Sequence, residues 1–416
     1  MKLLVHFVEL SPRVMVLASF FCISQPILAQ RGRIVGTIRD PSEAAIPGAL
    51  VRATHSETGL GWEAKSNGQG DYSLEPLPPG IYEVGVRASN FSAAQSKGIR
   101  LTVNATQRVD FKLALAALTQ NVEVGAASRI VETETSEQGV VIGEELIKDL
   151  PLNGRDFLQL AKLAPGVVPS LDNPSSPSGP FNANGQRDLS NNLLIDGINV
   201  NAGGSSRGRI SLSPGNDTAV GQSGSSAALI SVDAISEFKV QTQLAAAEFG
   251  SFSGATVNVN SRSGANQIHG NAFEFLRNSA LDANNFFFNT QGVKKTPSRN
   301  NFFGGTLGGP VRKDRTFYFA SFEGLRQRLG VSSNSRVPAS AARAQASPLI
   351  KPLIDLYPLP TGPDNSDGTA PYLAASSNLV GETDFSLRLD HRLTEKDDIF
   401  GRYSFSDSLV LFARSI

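Results

Sequence analysis

The feature that most constrains this chain is the stretch FSLRLDHRLTEKDDIFGRYSF at residues 385–405, in which apolar and polar side chains alternate. Phe385 and Leu389 fall on one face of an extended strand and Arg388 on the other, because successive strand side chains point to opposite faces. A polar turn at 394–398 leads into a second alternating run, so the stretch predicts a β-hairpin. Its apolar face and its two unpaired edges require further partners.

Composition narrows the class of protein. The 416 residues leave room for two or three domains, and the formal net charge is zero. Nucleic-acid binding needs clustered Lys and Arg for phosphate contacts, so no nucleic-acid partner is predicted. Abundant Gly and a predominance of Phe among the aromatic residues fit a mainly β protein with long loops better than a helical enzyme.

The N-terminus has the pattern of a secretory signal. Lys2 and Arg13 precede a short apolar run at 14–23, and the small residue Ala29 follows it. Residues 1–29 are therefore predicted to be a signal peptide, with a buried N-terminal helix as the alternative. Cys22 would leave with this segment, which excludes disulfides and thiolate metal sites from the exported chain. No later run is apolar for about 20 residues, so membrane insertion would require a β-barrel.

Residues 31–118 contain seven short alternating runs separated by Gly and Pro turns, which predict a small β-sandwich. The predicted strands are 33–39, 49–55, 62–66, 72–74, 81–88, 98–103 and 108–115. The segments GRIVGTIRDPSEAAIPGALVRA and GDYSLEPLPPGIYEVGVRASNF resemble the carboxypeptidase regulatory-like domain. This resemblance implies a carbohydrate-binding-like fold and no peptidase activity. Trp62 and Phe91 are the candidate sugar-stacking residues, and a core or spacer role is the alternative.

Residues 119–132 are predicted to link this sandwich to the next region. Val122, Glu123 and Val124 resemble the TonB box, a segment that adds as a strand to an exposed edge of TonB. An ordinary final strand or linker is the alternative.

Residues 133–263 combine helical and strand patterns. Helices are predicted at 144–149 and 155–163, and strands at 193–195, 238–240 and 255–259. The blocks LPLNGRDFLQLAKLAPGV, NGQRDLSNNLLIDGINV, ISEFKVQTQLAAAEFG and GATVNVNSRSGANQIHGNAFEFLRN follow in that order. They resemble the α/β plug domain and first barrel strand of TonB-dependent outer-membrane receptors, especially the Oar-like group.

Residues 264–416 are predicted to supply about five strands with alternating short and long connections, as in bacterial outer-membrane barrels. The predicted strands are 267–277, 302–311, 315–325, 385–393 and 399–408. Two short charged turns would face the periplasm, and the long connections 278–301 and 326–384 would be extracellular. The receptors that this region resembles have 22-stranded barrels. Because an open sheet in lipid leaves backbone groups unsatisfied, the chain is interpreted as a C-terminally truncated receptor with an incomplete transmembrane barrel.

No enzymatic site is predicted. His55, His269 and His391 are far apart in sequence and lack zinc-ligand spacing. Residues 364–368 have a calcium-like composition but lack the spacing of an EF-hand loop. The sequence therefore predicts no catalytic residue, cofactor or metal.

The resemblance implies energy-coupled passage of a bulky ligand, a glycan or a peptide, through the outer membrane. TonB and outer-membrane lipid would be partners, and the sandwich would lie in the periplasm. The candidate plug residues for the ligand face or the plug–barrel contact are Asn184, Gly185, Gln186, Arg187, Asp196 and Gly197. A purely structural turn is the alternative for Asp196-Gly197. For the whole chain, the alternatives are a soluble periplasmic or secreted carbohydrate-binding module and a non-functional fragment.

Overall fold

The computed structural model has a mainly β architecture, as the alternating runs predict. The predicted signal peptide, Cys22 and Val124 lie outside the residues that the structure describes. Within the described part of the chain, no helix combines the length and the apolar character needed to cross a membrane. The described residues are 31–115, 122–123, 137–150, 152, 155, 157–169, 181–187, 190–200, 230–243, 253–284, 286, 289, 295, 297–395 and 397–411.

The N-terminal region is a sandwich of two sheets that share one apolar core. Its strands are β1 Gly32–Arg39, β2 Leu50–His55, β3 Gly61–Lys65, β4 Asp71–Leu77, β5 Gly80–Arg87, β6 Ala94–Leu101, β7 Thr106–Arg108, β8 Phe111–Lys112 and β9 Val122–Glu123. One sheet has the order β4-β1-β7, with β8 also paired to β1, and the other has the order β3-β2-β5-β6-β9. We call this region the sandwich.

Strand alternation builds the core of the sandwich. In β1 every second residue is buried, and Ile34 and Ile38 are fully enclosed. Tyr72 on the adjacent strand β4 is also buried, and its hydroxyl donates a 2.6 Å hydrogen bond to the Val109 carbonyl. The core therefore contains a polar contact that fixes the backbone between β7 and β8.

The predicted final strand at 108–115 is wrong as one element, because the structure divides it into β7 and β8. The break lies at Val109 and Asp110. The Asp110 carboxylate accepts the backbone N–H of Thr37 at 2.8 Å, so a side chain replaces the strand partner there. The Val109 carbonyl also approaches Gly36 so closely that an added Cβ would lie 1.9 Å from it. Alternation alone cannot predict such a substitution of partners.

The second region is built on a five-stranded sheet, which we call the plug sheet. Its order is β10-β15-β16-β13-β14, and a separate pair is formed by β11 and β12. The predicted helix at 155–163 is a 3₁₀ helix that begins at Phe157. The elements are β10 Gln138–Gly143, α1 Glu144–Asp149, the 3₁₀ helix Phe157–Leu163, β11 Val167–Pro169, β12 Phe181–Ala183, β13 Asn192–Ile195, β14 Ile198–Asn199, the 3₁₀ helix Val232–Ala234, β15 Ile235–Gln243 and β16 Thr256–Ser261.

The third region is an antiparallel sheet in which consecutive strands are neighbours, which we call the barrel sheet. Its elements are β17 His269–Asn278, the 3₁₀ helix Ser279–Leu281, β18 Ser298–Arg312, β19 Thr316–Pro338, α2 Ser340–Ala344, α3 Lys351–Ile354, β20 Thr369–Arg392 and β21 Asp398–Leu411. Within the described residues β17 and β21 each pair on one side, so the sheet is not closed. Both tight turns, at 313–315 and 393–397, lie at one end, which we call the short-turn end.

Two barrel strands are much longer than predicted. β19 continues to Pro338 and β20 begins at Thr369, so the predicted loop 326–384 is confined to 339–368. The two strands stay in one register from Thr316 opposite His391 to Pro338 opposite Thr369. The added residues are largely polar by sequence, and the ladder is extended by backbone pairing together with contacts such as those of Arg326 with Glu382 and Thr383. A period-two pattern of apolar residues therefore could not predict these extensions.

The two faces of the barrel sheet differ sharply. Phe317 and Phe319 on the inward face are buried, and Phe319 belongs to the core of the plug sheet. On the outward face large apolar side chains remain exposed, and the cross-strand registers place them together. These exposed residues are Leu307, Phe322, Phe385, Leu389, Ile399, Tyr403 and Phe405.

We predict that Tyr72→Phe destabilises the sandwich by about 1–3 kcal/mol, because the buried Val109 carbonyl loses its donor. Trp62 is the single tryptophan of the chain and is buried in the sandwich, so its fluorescence during urea unfolding reports this transition. Tyr403→Phe, on the exposed outward face of the barrel sheet, is the matched control and should leave the transition unchanged. An unchanged midpoint for Tyr72→Phe would contradict the assigned hydrogen bond.

Candidate functional site

Asp196 joins the plug sheet to the barrel sheet. It is 1% exposed, and its carboxylate lies 3.2 Å from Arg388 of β20 and 3.2 Å from Arg402 of β21. The same carboxylate accepts the backbone N–H of Ser261 at 2.9 Å. Asp196 and Gly197 have φ values of 50° and 79°, so the turn between β13 and β14 aims the carboxylate at the inward face of the barrel sheet. One buried acid thus pairs with two barrel arginines, and Asp390 on the same strand as Arg388 supplies the second carboxylate at 2.9 Å.

A second ionic network centres on Arg155 of the plug region. Its guanidinium pairs with Asp233 and lies 3.1 Å from the carboxylate of Glu323 on β19. The same group stands 4.2 Å from the ring centroid of Phe273 on β17. Ser231 donates to Glu323 at 2.5 Å, and Asn271 donates to Asp233 at 2.6 Å. The plug region is therefore attached to several barrel strands, and the charges at each attachment are paired.

The other predicted plug residues lie at the opposite end of the plug sheet. Asn184, Gly185, Gln186 and Arg187 are exposed and form the turn after β12. The Asn184 amide donates to the Thr242 carbonyl at 2.7 Å, close to the end of β15. Four residues of β13 separate this end from Asp196, which corresponds to about 13 Å. The structure thus places the six predicted residues in two separate groups, and their role in ligand contact stays a prediction.

The sandwich is docked on the short-turn end of the barrel sheet. The Asn266 backbone N–H donates to the Glu57 carbonyl at 3.0 Å, and its amide donates to the Thr58 carbonyl at 2.8 Å. The same amide donates to the Asp314 carboxylate at 2.7 Å. The buried His55 imidazole shapes this loop by accepting the N–H groups of Glu57 and Thr58, and burial lowers its pKa. One asparagine therefore ties a sandwich loop to the first barrel turn.

Trp62 contributes to the same docking surface. Its ring lies 4.6 Å from the Arg392 guanidinium and packs edge-on against Tyr82 at 6.0 Å. Arg31 lies 3.5 Å from Asp398 beside it. At 8% exposure, and with a barrel arginine over the ring, Trp62 is placed as a docking residue rather than an open sugar platform. Phe91, the other candidate for sugar stacking, is half-buried against the sandwich core.

Glu237 connects the sandwich to the plug sheet. Its carboxylate accepts the backbone N–H of Val103 at 2.6 Å, and it is buried. Burial raises the pKa of Glu237 to about 7, while the Val103 N–H and nearby Arg100 and Lys239 act in the opposite direction. A carboxyl group at this boundary therefore changes its charge near neutral pH.

The candidate TonB box is described only at Val122 and Glu123. These two residues form β9, which pairs in parallel with Ala94 and Gln95 of β6. The structure thus places this part of the segment on an edge of the sandwich, and its binding to TonB stays a prediction.

Sequence reasoning missed Arg155, Glu237 and Asn266. It placed Arg388 and Arg402 on the inward face without naming their partner. Two like charges at directly opposed strand positions signal a missing acid. The identity of that acid depends on how the plug sheet sits in the barrel, and Asp196 is 192 residues from Arg388.

Parts of this chain match known protein families and a known transporter. Residues 260–346 match the family described as outer membrane beta barrel domain, and residues 33–114 match the carboxypeptidase regulatory-like domain. The TonB-dependent transporter Oar of Myxococcus xanthus is 28% identical over 321 residues, which cover 74% of this chain and 28% of Oar. The chain is an Oar-like relative of the TonB-dependent outer-membrane receptors. It spans about a quarter of the length of that relative, and its location is the outer membrane.

Two solved structures are similar to part of this chain. The siderophore receptor PirA from Acinetobacter baumannii is 19% identical, with a TM-score of 0.40, over 66% of this chain and 32% of PirA. A variant of the ferric enterobactin receptor PfeA from Pseudomonas aeruginosa, in complex with enterobactin, is 18% identical, with a TM-score of 0.40. That match covers 67% of this chain and 34% of PfeA.

We predict that Asp196→Asn weakens the attachment of the plug by about 3–5 kcal/mol, because Arg402 loses its buried counter-charge and Arg388 is left with Asp390 of its own strand. Asn tolerates the left-handed backbone at this position, so the turn itself is retained. The measurement is the urea concentration at which a protease begins to cut the plug region. Arg336→Gln, which removes an exposed ion pair, is the control and should cost less than 1 kcal/mol.

We predict that docking of the sandwich weakens as the pH rises through about 7. The pKa of Glu237 is raised in the docked state, so its contribution is fully present below the ordinary value of 4.5 and is lost as the group ionises. Acrylamide quenching of Trp62 measures docking, because Arg392 covers the ring. Quenching should increase from pH 5 to pH 8, and Glu237→Gln should flatten the profile. Equal profiles for both proteins would refute this assignment.

Proposed function

We propose that this chain provides the sandwich, the plug and the first barrel strands of a TonB-dependent transporter that carries a bulky ligand across the outer membrane. The proposed division is 31–118 for the sandwich, 119–132 for the linker, 133–263 for the plug and 264–416 for the barrel strands. The observation that carries the proposal is the contrast between the two faces of one barrel sheet. Its inward face binds the plug through Asp196, Arg388 and Arg402, and its outward face exposes large apolar side chains.

The membrane sets different requirements for the two faces of the barrel sheet. Exposed apolar side chains on the outward face are suited to lipid, and a charged inward face needs either water or paired charges. The plug supplies those paired charges at Asp196 and around Arg155. Both edges of the barrel sheet must be paired wherever it crosses lipid, since unpaired backbone groups cost several kcal/mol each. Transport therefore requires a closed barrel around this plug.

The ligand side is proposed to be the plug end that carries Asn184, Gly185, Gln186 and Arg187. This turn is exposed and lies away from the sandwich, which occupies the short-turn end. Its amide and guanidinium groups can hydrogen-bond to a polar ligand such as a glycan or a peptide. Asp196 and Gly197 are proposed to serve the plug–barrel contact instead.

TonB is the proposed energy-coupling partner, and residues 122–124 are the proposed TonB box. Strand addition through backbone hydrogen bonds suits this segment, because Val122 and Glu123 already adopt a strand conformation. The rival function, a soluble glycan-binding module, is less well supported, because Arg392 covers the Trp62 ring. Recovery of the chain in the soluble periplasm with affinity for glycans would favour the rival.

We predict that Phe405→Arg reduces the membrane-embedded fraction of the chain. Phe405 points outward and Ser406 points inward, so the two neighbours form a matched pair. An arginine facing lipid near the midplane costs about 2–4 kcal/mol, whereas the inward position faces the lumen. The measurement is the fraction that resists extraction from outer-membrane vesicles by carbonate. Equal loss for Phe405→Arg and Ser406→Arg would contradict the assignment of the two faces.

We predict that Val124→Pro lowers binding to the purified periplasmic domain of TonB by at least tenfold. Proline lacks the N–H that strand addition requires. Ala117→Pro, two residues before the linker and outside the proposed box, is the control and should bind normally. Binding can be followed with the full chain in detergent micelles. Loss of binding in both variants would indicate a general effect of proline on the linker, and normal binding of Val124→Pro would exclude this segment as the box.

A further inference from the structure

The outer edge of β6 in the sandwich holds a segment that the proposed function assigns to TonB. Ala94 and Gln95 of β6 pair on one side with Val86 and Gly85 of β5. On the other side they pair in parallel with Val122 and Glu123 of β9. The backbone edge that β6 would otherwise expose is therefore used to bind the proposed TonB box.

A second contact directs the chain toward this edge. After β8, the Ala114 carbonyl accepts the backbone N–H of Ser92 at 2.8 Å, and Leu115 forms an isolated bridge with Phe91. The chain that leaves the sandwich thus passes the residues immediately before β6, and seven residues after Leu115 it pairs with β6 itself. These two contacts are made by backbone groups, so an extended peptide can make them whatever its side chains are.

The sandwich that carries this edge is fixed to the receptor at three places. Asn266 binds the loop at Thr58, Arg392 covers Trp62, and Glu237 accepts the Val103 N–H beyond the end of β6. Among the described residues, β9 is held by two residue pairs. A pull along the linker therefore opens the β6–β9 ladder before it undocks the sandwich.

The plug side of the linker is fixed as well. The Glu137 carboxylate lies 3.1 Å from the buried Lys239 ammonium and accepts the Gln241 amide at 2.7 Å. Residues 124–136 separate this anchor from β9, and a chain of this length can extend to roughly 45–50 Å. Release of β9 from β6 would thus free a long tether whose far end is attached to the plug sheet.

We propose that the outer edge of β6 is a strand-binding site that retains residues 122–123 of the same chain, and that TonB binds the segment after it leaves this site. The inference rests on the proposed TonB coupling. The site recognises an extended peptide by backbone hydrogen bonds. It gives the carboxypeptidase regulatory-like domain a function other than sugar binding, which is to keep the coupling segment in place until TonB takes it.

The test is a reversible cross-link between the two strands. Gln95→Cys and Glu123→Cys are register partners, and paired strands bring their Cα atoms within the range that a disulfide allows. Cys22→Ser removes the single native cysteine from the background. The full chain in detergent micelles is titrated with the purified periplasmic domain of TonB before and after reduction. We expect the oxidised chain to bind at least tenfold more weakly and reduction to restore binding.

The matched control is Arg52→Cys with Glu63→Cys, a register pair of β2 and β3 within the sandwich. Its oxidation should leave TonB binding unchanged. The reduced form of the Gln95 and Glu123 variant controls for folding and for the loss of the Glu123 side chain. Failure of the cross-link to form would overturn the proposed site.

The outcomes separate this inference from the proposed function. If the oxidised and reduced chains bind the TonB domain equally, TonB adds to the free edge of β9 and retention by β6 is refuted, while TonB coupling stands. If the unmodified chain does not bind, TonB coupling fails and this inference fails with it. As a second readout, amide hydrogen exchange should increase when TonB is added at whichever of Ala94 and Gln95 directs its N–H toward β9, since consecutive strand residues direct their N–H groups to opposite sides. Unchanged exchange despite binding would overturn release.

Discussion

The buried carboxylate of Asp196 is the interaction on which the arrangement of this receptor chain depends. It lies between Arg388 and Arg402, which occupy directly opposed positions on β20 and β21. Without it Arg402 would lose its carboxylate partner, and Arg388 would be left with Asp390 of its own strand, in a site with little access to water. The position of the plug sheet, and thereby of the sandwich attached through Glu237, follows from this contact and from the second network at Arg155.

The barrel strands and their two faces could be predicted from sequence because their cause is local. Phe385, Leu389 and Phe405 alternate with polar residues, and a strand separates such residues onto opposite faces. The extensions of β19 and β20 could not be predicted, because residues such as Arg326 and Asn378 are paired across the strands without the regular alternation of apolar and polar residues that marks a strand. The divided strand β7–β8 was missed for a similar reason, since the Asp110 side chain replaces a backbone partner.

The candidate site was predictable only in part, because it is made by contacts between regions. The Asp196-Gly197 turn can be recognised from its residue types, but its contact with Arg388 spans 192 positions. Trp62 was a candidate for stacking on sugar, with a core or spacer role as the alternative, and it lies under a barrel arginine that no local pattern connects with it. Asn266 stands in an ordinary linking segment, yet it holds a sandwich loop and a barrel turn together. The contacts of these residues depend on how the sandwich, the plug sheet and the barrel sheet pack against one another.

The long hairpin formed by β19 and β20 has a further consequence. Its strands contain 23 and 24 residues, whereas a tilted strand crosses the hydrocarbon layer in about 9–11. More than half of each strand therefore stands clear of the lipid, topped by the two short helices α2 and α3. In the proposed topology this projection is extracellular, so a large solute would meet it before it reached the bilayer surface. Antibodies raised against whole cells should consequently find their most accessible epitopes on this projection.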